Sequence, residues 1–88
     1  MNNFDVIKQY HNNYVNYLIT KIYGGDTKDF KVMMNNALAI IESVEDTEVK
    51  DYLYLRYVKN MSFTAIEQLR GWSRSKQYSL KCKAIEEV

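Results

Sequence analysis

Residues 60–85 read NMSFTAIEQLRGWSRSKQYSLKCKAI, and this stretch decides the fold of the C-terminal half of the chain. Ser62 and Ser73 are each predicted to begin a helix, because a serine hydroxyl accepts a hydrogen bond from a free amide of the first turn. Gly71 lies between them, and glycine ends helices because it adopts the left-handed conformation without a Cβ penalty. The stretch therefore predicts two short helices joined by a tight turn at Gly71.

The apolar spacing gives each of these two helices a side that faces the core. Apolar residues recur every three residues in the first helix and every four in the second, which are the spacings of neighbours on one helical face. The first set is Phe63, Ile66 and Leu69, and the second set is Leu80, Ala84 and Val88. The polar side of the second helix carries Arg74, Ser75, Lys76, Tyr78, Lys81 and Lys83.

Charge is distributed unevenly along a chain whose net charge is only +1. Residues 26–51 hold seven acids against three lysines, whereas residues 68–85 hold five bases and no acid. A basic C-terminal face on a nearly neutral protein is the footprint of a small DNA reader. The distribution therefore favours double-stranded DNA as a partner.

The run from Met61 to Ser75 resembles the helix-turn-helix of the fourth conserved region of bacterial sigma factors. It resembles still more closely the phage activators of late transcription of the ArpU or RinA type. The segment Ser73–Ser75, followed by Tyr78 and then by Lys83–Ile85, is typical of the phage branch. The resemblance covers residues 46–88, about half of the chain, and implies a helix-turn-helix whose second helix is capped by Ser73 and enters the major groove.

The resemblance, taken with the basic face, assigns roles to individual residues. Those nearest the base edges are expected to be Arg74, Ser75 and Tyr78. The predicted phosphate anchors are Arg70, Lys76, Lys81 and Lys83, since phosphate contacts position a module without specifying sequence. Tyr78 has a second interpretation, packing on the third predicted helix, which ends at about Lys59, and Trp72 is interpreted as a core residue.

Two positions depart from the pattern of these relatives. The place of Glu67 usually holds a small residue, often alanine, where the two helices approach most closely. The place of Gln77 usually holds a buried valine or isoleucine. Either change predicts helices that sit further apart, or a register that differs by one residue.

Composition indicates a single all-α domain covering residues 1–88. The chain has no proline and only three glycines, and helical periodicity runs almost throughout. About five helices are predicted. The first spans residues 3–23, the second runs from Asp26 or Thr27 to about Val44, and the third runs from Asp46 or Thr47 to about Lys59. The fourth and fifth are the two described above. Residues 1–44 would form an N-terminal helical pair, and residues 46–88 the helix-turn-helix part.

The first predicted helix has a wide apolar stripe. Its main inward row is predicted to be Ile7, Tyr14 and Leu18 and to continue to Ile22, and further apolar residues widen the stripe, including Val15, Tyr10, Tyr17 and Ile19. Surplus apolar surface often marks an interface, so one interpretation is a homodimer with Tyr10, Tyr17 or Ile19 between the subunits. The other is that the second and third helices cover the whole stripe.

Several classes of function find no support in the sequence. Cys82 is the single cysteine, so no internal disulfide is expected. No apolar run approaches the length of a membrane span, and the N-terminus does not look like a signal peptide, which favours the cytoplasm of a bacterial host. His11 has no second ligand at a useful spacing, and the acids are typical of caps and solvated loops. We therefore expect no metal, cofactor or catalytic residues, and no enzyme activity.

The leading functional prediction is a sequence-specific DNA-binding transcriptional regulator of phage or mobile-element type. The alternative is a protein-interaction module with the shape of a helix-turn-helix. It would bind RNA polymerase or another regulator through the acidic middle of the chain or through the first helix. Only the first prediction requires salt-sensitive binding to DNA.

Overall fold

The structure, a computed structural model, describes residues 2–88 as a helical domain with no strand in that range. Its helices are α1 (Asn3–Lys8), α2 (Tyr10–Ile22), α3 (Lys28–Glu42), α4 (Thr47–Leu53), α5 (Phe63–Arg70) and α6 (Arg74–Glu87). A π-helical segment, Tyr54–Val58, continues α4 without a break. The predicted all-α class is confirmed. The first predicted helix is divided at Gln9 into α1 and α2, which explains six α-helices where about five were predicted.

The predicted helix boundaries of the C-terminal half are confirmed at the level of single atoms. Ser62 Oγ accepts from the Ala65 amide at 3.1 Å, and Ser73 Oγ accepts from the Lys76 amide at 3.2 Å. Gly71 has φ of 71°, in the left-handed region that ends α5. Asp46 caps α4 by accepting from two amides of its first turn.

The core lies where α4 and its π-helical continuation meet the other helices. Helix α4 packs on α6 and α3, α1 packs on α3, and α5 packs on α6 and on the π-helical segment. The buried apolar residues that form this cluster are Phe4, Ile7, Ile41, Val44, Val49, Tyr52, Leu53, Leu55, Ile66, Leu80 and Ala84. Because α6 contributes Leu80 and Ala84, its orientation is fixed by the core.

The predicted apolar face of α5 is only partly correct. Ile66 is fully buried, whereas Phe63 lies at the surface and Leu69 is 53% exposed. Three residues turn an α-helix by about 300°, which is about 60° short of a full turn. Side chains six positions apart, such as Phe63 and Leu69, therefore point in directions that differ by about 120°. Since α5 is short and makes a narrow contact, only its central apolar residue reaches the core.

The predicted inward row of the first helix is wrong beyond Ile7. Ile7 is fully buried on α1, but Tyr14, Leu18 and Ile22 on α2 are exposed. The helix is interrupted at Gln9, and α2 then packs on α3 as an antiparallel hairpin. The break separates the faces of α1 and α2, so the buried side of α1 does not continue along α2.

Within residues 2–88, the apolar content and length of every helix fall short of what a membrane span requires.

Tyr52 is the largest fully buried side chain, and its hydroxyl has no hydrogen-bond partner among residues 2–88. Burial raises the pKa of Tyr52 to about 12, above the 10.0 of an unperturbed tyrosine. The neutral phenol is therefore favoured in the folded state. The preference of the folded state for neutral Tyr52 contributes to the free energy of unfolding below pH 10, and this contribution is lost as the pH rises from 10 towards 12.

The substitution Tyr52→Phe is expected to leave stability near neutral pH unchanged or slightly higher, because it removes a buried hydroxyl that has no partner. It should also reduce the loss of stability between pH 10 and pH 12. Some loss should remain, because a hydrogen bond to Glu42 raises the pKa of Tyr54 to about 12. Urea unfolding at pH 8 and pH 11 measures both effects. A loss of more than about 1 kcal/mol at pH 8 would show that the hydroxyl has a stabilising partner.

Candidate nucleic-acid interface

The turn between α5 and α6 is three residues long and is held by local hydrogen bonds. The Gly71 amide donates to the Glu67 carbonyl at 2.7 Å and closes the last turn of α5. Ser73 then caps α6, so one helix ends and the next begins within the three residues from Gly71 to Ser73. This leaves Arg74 and Ser75 exposed in the first turn of α6.

Gln77 fastens α6 to this turn. Its side chain is fully buried, and Nε2 donates to the carbonyls of Phe63 at 3.0 Å and Trp72 at 3.1 Å. Gln77 thus lies on the buried face and joins α6 to α5 and to the turn by hydrogen bonds. Glu67, the other departure, is exposed on α5. Trp72 is half-buried against the core, in agreement with its predicted position.

The outward face of α6 is uncharged over most of its length. The inner side is defined by the buried residues Gln77, Leu80 and Ala84. With a turn of about 100° per residue, the opposite side of the helix ends at the exposed acid Glu86 and otherwise carries three uncharged residues, Ser75, Ser79 and Cys82, all exposed. Of these three, only Ser75 was predicted as a site residue. Ser79 and Cys82 could have been found from the sequence by projecting the helix away from Leu80 and Ala84.

Basic side chains line the two flanks of this uncharged face. The same rotation of about 100° per residue puts Arg74, Tyr78 and Lys81 on one flank. Lys76 and Lys83 lie on the other. Tyr78 is 69% exposed, so its hydroxyphenyl group does not pack into the core against α4. The predicted site residues of α6 therefore share an accessible surface but divide into two rows with hydroxyl groups between them.

The flank that contains Arg74 borders an open cleft of about 240 Å³. Phe63, Tyr52, Tyr78, Arg74 and Lys81 line this cleft. The guanidinium of Arg56 lies 4.7 Å from the centre of the Phe63 ring, and that of Arg74 lies 6.0 Å away. These cation–π contacts place two guanidinium groups beside an aromatic ring at the surface, and they direct the Arg74 side chain towards Phe63 of α5.

Two of the predicted phosphate anchors are engaged by acids of α4. Arg70 Nε lies 2.7 Å from Asp51 Oδ2, and Arg70 Nη2 lies 3.2 Å from Asp51 Oδ1, which makes a bidentate pair. This hydrogen bonding raises the pKa of Arg70 further above its usual value. Lys76 Nζ lies 3.1 Å from Glu48 Oε1. Lys81 and Lys83 form no ion pair within residues 2–88, so they are the anchors whose charge is free.

The described residues contain no group of three or more histidine, cysteine, aspartate or glutamate side chains placed to hold a metal ion. No family model, curated protein or solved structure matches the chain.

Proposed function

We propose that this protein is a sequence-specific DNA-binding transcriptional regulator of phage or mobile-element type that acts in the cytoplasm of a bacterial host. The observation that carries the proposal is the outward surface of the first three turns of α6, where Ser75, Ser79 and Cys82 lie between two flanks with basic side chains. A major groove about 12 Å wide admits an α-helix, and the phosphates on its two sides then lie near the two flanks.

In this mechanism the outward surface of α6 lies in the major groove, while its buried face packs on the protein core and fixes its orientation. Ser75 and Arg74, in the first turn, contact base edges, and Tyr78 follows one turn later. A bidentate arginine to guanine gives about 1–3 kcal/mol of discrimination. Lys81 anchors to a phosphate on one side of the groove and Lys83 to a phosphate on the other.

Arg70 and Lys76 are the two predicted anchors that already form ion pairs with acids of α4. To contact a phosphate, each must break this ion pair and bind the DNA backbone instead. Exposed ion pairs contribute only about 0–1 kcal/mol, so this exchange has a low cost. The helix-turn-helix of the proposal thus includes an internal competition between the acids of α4 and the phosphates.

The same ion pairs favour a second candidate function. Because Asp51 and Glu48 neutralise two of the basic residues, the surface has less net positive charge than the sequence of α5 and α6 indicates. A protein-interaction module of helix-turn-helix shape, binding RNA polymerase or another regulator, would need no large positive field. Binding to DNA separates the two candidates.

The experiment is a selection of bound duplexes from a random DNA pool, followed by titration of the enriched sequence at 50 mM and 200 mM salt. Four phosphate contacts for each chain give a slope of about −3.6 in log K against log salt, and hence a loss of roughly a hundredfold in affinity over this range. We expect one enriched class of sequence and a salt dependence of this order. A pool that shows no enrichment and equal retention at both salt concentrations would contradict the proposal.

The competition with α4 gives a prediction of its own. The substitutions Asp51→Asn and Glu48→Gln each remove a carboxylate that neutralises a predicted anchor. We expect each to raise DNA affinity by up to about fivefold, which corresponds to about 1 kcal/mol. Asp29→Asn, an exposed site on α3, makes the same change of charge outside the helix-turn-helix and serves as the control. Affinities equal to that of the control, measured by fluorescence anisotropy, would show that the two pairs do not compete with DNA.

A further inference from the structure

The apolar side of helix α2 faces away from α3, and only its N-terminal end lies near the π-helical segment. The side of α2 towards α3 is polar at its centre, where Asn13 is buried, and Asn16 and Thr20 are half-buried. The opposite side carries five exposed apolar residues, namely Tyr14, Val15, Leu18, Ile19 and Ile22. Ile19 is 49% exposed and Ile22 is 79% exposed. We call this set the α2 stripe.

The spacing of the α2 stripe is that of a helix that packs against another helix. Val15, Leu18 and Ile22 follow one another at intervals of three and four residues, and the half-buried His11, which lies 3.4 Å from Asn60, precedes them by four. This alternation places them along one narrow line, as the a and d positions do in a coiled coil. Tyr14 and Ile19 flank the line on its two sides. A helix of 13 residues gives a seam of about 20 Å.

The charge pattern favours a second copy of this chain as the occupant. No lysine, arginine, aspartate or glutamate occurs from Tyr10 to Thr20. In a two-fold dimer each residue near the axis lies opposite its own counterpart, so a charge there would meet the same charge. A stripe without charges satisfies this requirement. It also offers no charged group with which to select a partner of different sequence.

The exposed area is sufficient for a weak to moderate dimer. The α2 stripe and Tyr23, which is 85% exposed, together expose about three whole large side chains. At about 150–200 Å² each, this amounts to roughly 500–600 Å² of each copy. Two copies with their flanking polar residues then reach the lower end of the range of about 1,200–2,000 Å² for stable interfaces.

We propose that the α2 stripe is the interface of a two-fold homodimer, in which α2 of one chain packs against α2 of the other. The proposal differs from the prediction made from the sequence in its residues. Tyr10 and Tyr17 are half-buried within one chain, and the seam follows Val15, Leu18 and Ile22. It does not depend on binding to DNA, because α6 packs on α4 and α5 and takes no part in the interface.

The test is the mass of the full chain in solution, measured by sedimentation equilibrium at tens of micromolar. The monomer has a mass of 10.4 kDa, and we expect the parent protein to show about twice that value. Leu18→Glu places a charge at the centre of the seam and should give monomers with unchanged helical circular dichroism. Val32→Glu is the matched control, because Val32 is an exposed apolar residue on α3 outside the stripe, and it should remain dimeric.

A second measurement keeps the result clear if Leu18→Glu affects folding. In a Cys82→Ser background, Leu18→Cys should form a disulfide between two chains under mild oxidation, whereas Val32→Cys should not. A parent protein that is monomeric at tens of micromolar would overturn the proposal, whatever its affinity for DNA. Equal dissociation by Leu18→Glu and Val32→Glu, or equal cross-linking at the two cysteines, would overturn it as well.

Discussion

Replacing Lys76, Lys81 and Lys83 together by alanine is expected to lower DNA affinity by on the order of a hundredfold, to a similar extent for every sequence. Each lysine is assigned to a phosphate, and at about 1 kcal/mol or more for each charge-assisted contact, the loss is about two tenfold steps. The slope of log K against log salt should fall by about 0.9 for each contact removed. Anisotropy titrations over a range of salt concentrations give both quantities.

The matched control removes three lysines from the α2–α3 hairpin, namely Lys21, Lys28 and Lys31. It makes the same change in net charge outside α5 and α6, so a general electrostatic effect would lower affinity equally in both variants. We expect the control to keep most of its affinity and its full salt slope. If the α6 variant is folded and binds as tightly as the parent protein, α6 is not the DNA-binding surface.

The features that could be predicted from the sequence are those whose cause is local. Ser62, Ser73 and Gly71 act on backbone groups within four residues of themselves, so their chemistry alone determined where α5 ends and where both helices begin. The buried positions Leu80 and Ala84 followed from a spacing of four, which drifts little around a helix. The break between α1 and α2 has no such signal in the sequence. Gln9 is the N-terminal cap residue of α2, but its side chain makes no capping hydrogen bond.

The choice of which face a helix buries was less predictable, because it depends on packing between distant segments. The apolar side of α2 was predicted to face the core, yet the hairpin with α3 buries Asn13. Amphipathic periodicity identifies an apolar side but cannot distinguish contact within one chain from contact between two. The exposed stripe is the kind of conflict between local pattern and fold that occurs at functional sites.

The accessibility of most of the predicted α6 residues could be predicted from the sequence, but the ion pairs that engage two of the predicted anchors could not. The predicted residues of α6 were assigned as one polar side, whereas the structure divides them into two flanks around Ser75 and Ser79. The pairing of Arg70 with Asp51 joins residues 19 positions apart, and no spacing rule for a single helix connects them. The acidic middle of the chain, seen in the sequence as a separate feature, therefore modulates the charge of the basic surface.

Ile66→Ala is expected to cost about 2–5 kcal/mol in the free energy of unfolding, the largest effect of any single substitution considered for this protein. Ile66 is fully buried in the cluster that joins α5 to the rest of the core. Removing its side chain leaves a cavity beneath the turn that orients α6. For a domain of this size each kcal/mol lowers the melting temperature by about 4–8 °C, so we expect a fall of at least about 8 °C.

Leu69→Ala, three residues further along α5, tests whether burial or apolar character decides the effect. Leu69 belongs to the same predicted stripe but is 53% exposed, so its loss should be under about 1 kcal/mol. Both variants place alanine in the interior of α5, and helix propensity therefore changes little and in the same direction. Thermal melts followed by circular dichroism at one fixed concentration compare the two directly. Equal losses would mean that α5 buries both residues, and that the helix is rotated about its axis relative to the orientation that places α6 at the surface.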